Sequence, residues 1–210
     1  MHSRLPRFVA LGVCALSITG VTAFAQTLTK SSAEKRSELE RRYESLANLA
    51  PPDRRIAVVE MQPAEQDALW SIHINRFLAD HPDLTVEQRS IVFEALGLVT
   101  AGVIQRISSG KADEVRKGLD ELAQLEFRAK TVLRRDLARA LLAEIGPPQP
   151  DEPLRSASRL RITPLNTSCN CNIISDYCWF GDCMFGSDQC TRQPWGCGTF
   201  FQDPCNGLCP

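Results

Sequence analysis

"TSCNCNIISDYC", residues Thr167–Cys178, opens a run of eight cysteines confined to the last 42 residues of a 210-residue chain. The only cysteine before it is Cys14. The eight are Cys169, Cys171, Cys178, Cys183, Cys190, Cys197, Cys205 and Cys209, spaced C-x-C-x6-C-x4-C-x6-C-x6-C-x7-C-x3-C. Two chemistries use cysteine this densely, zinc binding and disulfide bonding. Zinc knuckles repeat C-x2-C to C-x4-C and commonly add histidine, whereas this tail has no histidine and no C-x2-C. Disulfides are therefore expected and no metal site is. A segment of about 40 residues buries too little surface to hold itself together without such staples. Spacing leaves the connectivity open. One local limit holds: only Asn170 separates Cys169 from Cys171, so a bond between them would be strained and each is expected to pair elsewhere.

Disulfides persist outside the cytosol, and the other end of the chain supplies a route there. His2, Arg4 and Arg7 precede a mostly apolar run from Phe8 to Ala23, which ends in Ala23-Phe24-Ala25. A basic start, an apolar core and an A-x-A site in that order read as a secretory signal peptide, with signal peptidase cutting between Ala25 and Gln26. That cut would remove Cys14 and leave an even number of cysteines. The run is short for a membrane span.

Between leader and tail the pattern is helical. Helices are expected near Ala33–Ala50, from Pro63 or Ala64 to Ala79, over Val86–Ser108 and over Ala112–Ile145. Pro51-Pro52 and Pro82 read as stops. Thr85 followed by Gln88 is a capping-box signature, and Gly146 suits the residue after the last helix. The Val86–Ser108 segment is apolar on most sides and is expected at the centre of a bundle. His73 and His81 stand in no metal-ligand pattern, and Asp and Glu are spread over solvated faces. No catalytic constellation, phosphate loop or cofactor motif is visible, so the chain is not expected to be an enzyme or to carry a cofactor.

Composition changes sharply along the chain. Thr27–Pro150 holds 18 Lys and Arg against 19 Asp and Glu, an ordinary soluble surface. Thr167–Pro210 holds Arg192 against four aspartates and seven of the fourteen aromatics. Nothing in this balance suggests a nucleic-acid partner. Gly146–Asn166 joins the two with five prolines, an extended segment that reads either as a plain interdomain spacer or as an exposed processing site. Arg155, Arg159, Arg161 and Asn166 are its candidate processing positions. "GTFF", Gly198–Phe201, is expected to supply a short strand. Tyr177, Trp179, Phe180, Phe185, Trp195, Phe200 and Phe201 are more aromatics than so small a module can bury; two or three are expected to pack over the disulfides, and Tyr177, Trp179, Phe180, Trp195, Phe200 and Phe201 are the candidate target contacts. The expected fold class is an all-α helical bundle, a putative pro-region, followed by a small disulfide-rich, turn-rich module. The expected boundaries are leader 1–25, bundle 26–146, linker 147–166 and tail 167–210.

The ordered motifs "CNC", "SDYC", "GCGT" and "CNG" in the tail resemble the fulvocin C-related bacteriocin family over about 44 residues. The resemblance implies four disulfides and an antibacterial peptide, with a processing protease and a bacterial cell-envelope target as partners. The tail's net charge of -3 departs from the cationic character of peptides that coat anionic membranes. A specific target met through aromatics is the expectation. The alternative is an exported envelope or extracellular binding module whose tail stays attached.

Overall fold

The structure, a computed structural model, describes residues 34–146, 169, 171–172, 177, 183–185 and 190–208, without the side chains at 51, 52, 184, 185, 194 and 195. The chain divides into two compact units, Met1–Ser37 and Glu38–Pro210. The leader with its Ala25–Gln26 site and the linker lie outside the described residues.

Seven α-helices are described. Helix α1 occupies residues 34–45 and closes in a 3-10 turn over Leu46–Asn48. Then come α2 (Pro51–Val59), α3 (Pro63–Asp80), α4 (Val86–Thr100), α5 (Val103–Ile107), α6 (Ala112–Val132) and α7 (Arg135–Leu142). Four short strands follow: β1 (Met184–Phe185), β2 (Gln193–Cys197), β3 (Asp203–Cys205) and β4 (Gly207–Leu208). They form two antiparallel pairs, β1 with β4 and β2 with β3. Met184 faces Leu208 in the first, and Gln193 faces Cys205 in the second, with a register irregularity between Gln193 and Cys197.

Three helix readings are corrected. Pro51-Pro52 does not merely stop a helix but starts α2, because proline at the first helical positions gives up no intrahelical hydrogen bond. The expected Val86–Ser108 helix breaks at Gly102, whose φ of 71° is the left-handed conformation that glycine adopts without steric penalty. The buried carboxylate of Asp67 holds this break, accepting the backbone N–H of Ile104 at 3.1 Å and of Gln105 at 3.0 Å. The expected Ala112–Ile145 helix breaks at Leu133 and Arg134, both extended. The break keeps Leu133 at 4% exposure while letting α7 turn onto α3 and bury Leu141 and Leu142. Gly146 thus stands beyond the helix cap, Ala143, and not directly after a helix.

The Thr85 capping box is present in full. Gln88 N–H donates to Thr85 Oγ1 at 3.2 Å, and Thr85 N–H donates to Gln88 Oε1 at 3.0 Å. Helix α3 is the spine of the bundle, packed against α4, α5 and α7, while α6 closes the far side against α4 and α5. Its buried side chains include Leu69, Trp70, His73, Ile74 and Phe77. Arg54 ties the ends together: it donates to the carbonyls of Leu49, at 3.0 Å, and Ile145, at 3.3 Å. Among the described residues, no helix is long and apolar enough to cross a membrane.

Candidate functional site

The tail does not stand apart from the helices. Tyr177, Phe200 and Phe201 belong to the same hydrophobic core as Tyr43, Leu69, Trp70 and Leu125. Phe200 is fully buried and Phe201 nearly so, and their rings lie 4.9 and 5.2 Å from that of Trp70. His73 meets Trp70 edge-on at 5.4 Å. The seam between tail and bundle is therefore an aromatic cluster centred on one indole. The Nε1 of that indole is buried with no hydrogen-bond partner among the described residues.

Local chemistry explains how the pair reaches that depth. Gly198-Thr199-Phe200-Phe201 is not the expected strand. Thr199–Phe201 forms a 3-10 turn in which Phe200 and Phe201 take φ values of 53° and 64°. Left-handed backbone is unfavourable for a bulky residue by about 1–2 kcal/mol, so a compensating gain is needed. Two phenylalanine side chains taken out of water supply about 1.5–3 kcal/mol each. Gly198, with φ of 69°, opens the turn, and a Cβ there would collide with the Asp203 side chain. The Cys197–Cys205 disulfide closes the base of the loop.

Polar contacts surround this plug. Tyr177 Oη and Thr199 Oγ1 are 3.0 Å apart, and Thr199 Oγ1 donates to Glu126 Oε2 on α6 at 3.3 Å. Lys130, ion-paired with Glu126 at 2.6 Å, lies 5.2 Å over the Tyr177 ring. Burial, reinforced by the Glu126 carboxylate, raises the Tyr177 phenol well above its ordinary range, so Tyr177 stays neutral. On α2, Arg55 lays its stem against Gly196 and donates from Nη1 to Cys197 Sγ at 3.4 Å.

Three disulfides are described: Cys169–Cys190, Cys171–Cys183 and Cys197–Cys205. Cys169 and Cys171 bond to different partners, as their one-residue separation demands. Each bridge contributes about 2–4 kcal/mol, chiefly by restricting the unfolded chain. Hydrogen bonds join the start of the tail to its end: Cys171 N–H donates to Gly207 O at 3.2 Å and Asn172 Nδ2 to Pro204 O at 2.7 Å. Cys178 and Cys209 lie outside the described residues. The three bridges are compatible with an oxidising compartment.

Of the six candidate contact aromatics, Tyr177, Phe200 and Phe201 are buried against the bundle and offer no free surface in this arrangement. Trp179, Phe180 and the Trp195 side chain lie outside the described residues, as do Arg155, Arg159, Arg161 and Asn166. Pro194-Trp195-Gly196 falls within β2. His73 is a packing residue. Tyr43 Oη lies 3.0 Å from its Nδ1, and its Nε2 lies 2.8 Å from Ala140 O. A neutral ring satisfies both contacts, accepting at Nδ1 and donating at Nε2. Burial pushes its pKa down to about 4. His81 stacks on Phe77 at 4.2 Å. Among the described residues no group of three His, Cys, Asp or Glu side chains could hold a metal ion.

The class defined by these features is a helical bundle completed by a disulfide-stapled aromatic tail. No protein-family model, no curated protein and no solved structure matches the chain.

Proposed function

We propose that the chain is a secreted antibacterial precursor, with the disulfide-stapled tail as its active part and the helices as a pro-region that keeps it inactive. The observation that carries this reading is the burial of Phe200 and Phe201 against Trp70. A peptide that meets a cell-envelope target through aromatics is silent while those aromatics are seated elsewhere. The tail motifs of the fulvocin C-related family supply the antibacterial assignment. Cleavage between Arg155 and Asn166 would sever the chain, and loss of the bundle would then free the plug. The reading assigns no catalytic step to any residue.

The continuity of the core favours a second reading. A tail that shares its core with α3 stays docked after one cut in the linker, because burial of two phenylalanines does not depend on that backbone. In this reading the chain is an exported binding module with a permanently attached tail.

Intact mass spectrometry of the secreted product, before and after reduction, separates the two. A fragment starting near Thr167, lighter by eight hydrogens than its reduced form, and inhibitory to bacteria, supports the precursor. A product spanning Gln26–Pro210 favours the tethered module. The precursor reading fails if oxidised Thr167–Pro210 neither inhibits any bacterium in a broad panel nor binds cell envelopes.

A further inference from the structure

We propose that the helical region is an oxidative-folding template for the tail, in which Arg55 presents Cys197 as the attacking thiolate that forms the Cys197–Cys205 bridge. The inference does not depend on whether the linker is cut. It starts from three observations on one contact. Arg55 Nη1 donates to Cys197 Sγ at 3.4 Å. Cδ, Cγ and Nε of Arg55 all lie within contact of where a Gly196 side chain would begin, so the Arg55 stem runs along bare backbone beside Cys197. The loop between the two cysteines carries Phe200 and Phe201, whose seats are on Trp70. In this proposal, docking of that pair brings Cys197 to the guanidinium before the bridge closes.

Only a thiolate attacks a disulfide, and a neighbouring cation favours the thiolate. The Cys197 thiolate would attack one sulfur of a small disulfide oxidant, such as oxidised glutathione, and expel one glutathione thiolate. The Cys205 thiolate would then attack the Cys197 sulfur of the mixed disulfide and expel the second. Two cysteine thiols lose two electrons and two protons overall, and one oxidised glutathione becomes two glutathione thiols.

The size of the effect follows from two opposing trends. A tenfold bias toward thiolate raises the ionised fraction at neutral pH about eightfold. The stabilised thiolate is about threefold less nucleophilic. The net gain at pH 7 is about threefold. The two trends cancel at about pH 8, and above it the sign reverses.

The test is to reduce and denature the full chain, transfer it to a glutathione redox buffer, quench with alkylating agent over time and map each bridge by peptide mass. Arg55→Gln is expected to slow Cys197–Cys205 formation about threefold at pH 7 and to overtake the wild type at high pH. Arg55→Lys, which keeps the charge, is expected to stay close to the wild-type rate. Cys169–Cys190 forms in the same tube and serves as control. If Arg55→Gln slows both bridges equally, or leaves the Cys197–Cys205 rate and its pH profile unchanged, the proposal is overturned. A general loss of folding in that variant counts as the first of these results.

Discussion

Replacing Phe200 by alanine removes a ring that is wholly excluded from solvent and lies 4.9 Å from Trp70. Truncating a buried phenylalanine costs about 3–5 kcal/mol, through lost transfer energy and the cavity left behind. If tail and helices share one core, this loss appears in the unfolding of the helices, although Phe200 is not in an α-helix. Urea unfolding followed by far-UV circular dichroism reads the helices directly, and the helical midpoint is expected to fall accordingly. Glycine at the same position sharpens the test. In ordinary backbone glycine is less stable than alanine by about 0.5–1 kcal/mol. At a φ of 53° the left-handed penalty of about 1–2 kcal/mol falls on alanine instead. Phe200→Gly is therefore expected to equal or exceed Phe200→Ala in stability, reversing the usual order. A helical transition unmoved by either substitution would refute the shared core, and a glycine variant clearly weaker than the alanine variant would refute the left-handed turn.

Two buried groups set opposing pH dependences. His73 is pushed down to about 4 by burial, so its contribution is complete above the ordinary histidine range and is lost as pH falls from about 6.5 toward 4. Asp67 is raised to about 6, first by burial and against its two backbone N–H donors. A raised acid binds protons more tightly when folded, so Asp67 lowers stability as pH rises from about 4 to 6. The two trends oppose each other, so the wild-type profile over that window is expected to be flatter in denaturant titrations than that of a variant lacking one of the two groups. Asp67→Asn is expected to be less stable overall but to gain stability with pH there, and a level profile in that variant would contradict the assignment. Thr85→Ala removes one arm of the capping box and is expected to cost about 1 kcal/mol in thermal unfolding.

Local signals were legible where they were chemical. Thr85 and Gln88 marked the start of α4. The misses share a physical cause. Pro51-Pro52 has one composition whether it ends a helix or begins one, and only the chain beyond it decides. Gly102 and Leu133 sit in sequences that suit helix, yet tertiary packing breaks both. The docking of the tail left no periodic signature, since Arg55 and Cys197 are 142 positions apart. The compositional break between bundle and tail gave no hint that Tyr177, Phe200 and Phe201 join the core of the helices, while Cys169, Cys197 and Cys205 pack in a cluster of their own. Tyr177, Phe200 and Phe201 looked too apolar for a small module because their partners are on α3 and α6.

That separation bears on how the molecule is made. A chain synthesised from its N-terminus exposes Trp70 long before Phe200 and Phe201 leave the ribosome, so the core has no complete form until the tail has emerged. Contacts this distant in sequence are slow to close. Under the secreted reading proposed above, that lateness would keep the nascent chain threadable, and the aromatic turn of the tail would latch the fold after export.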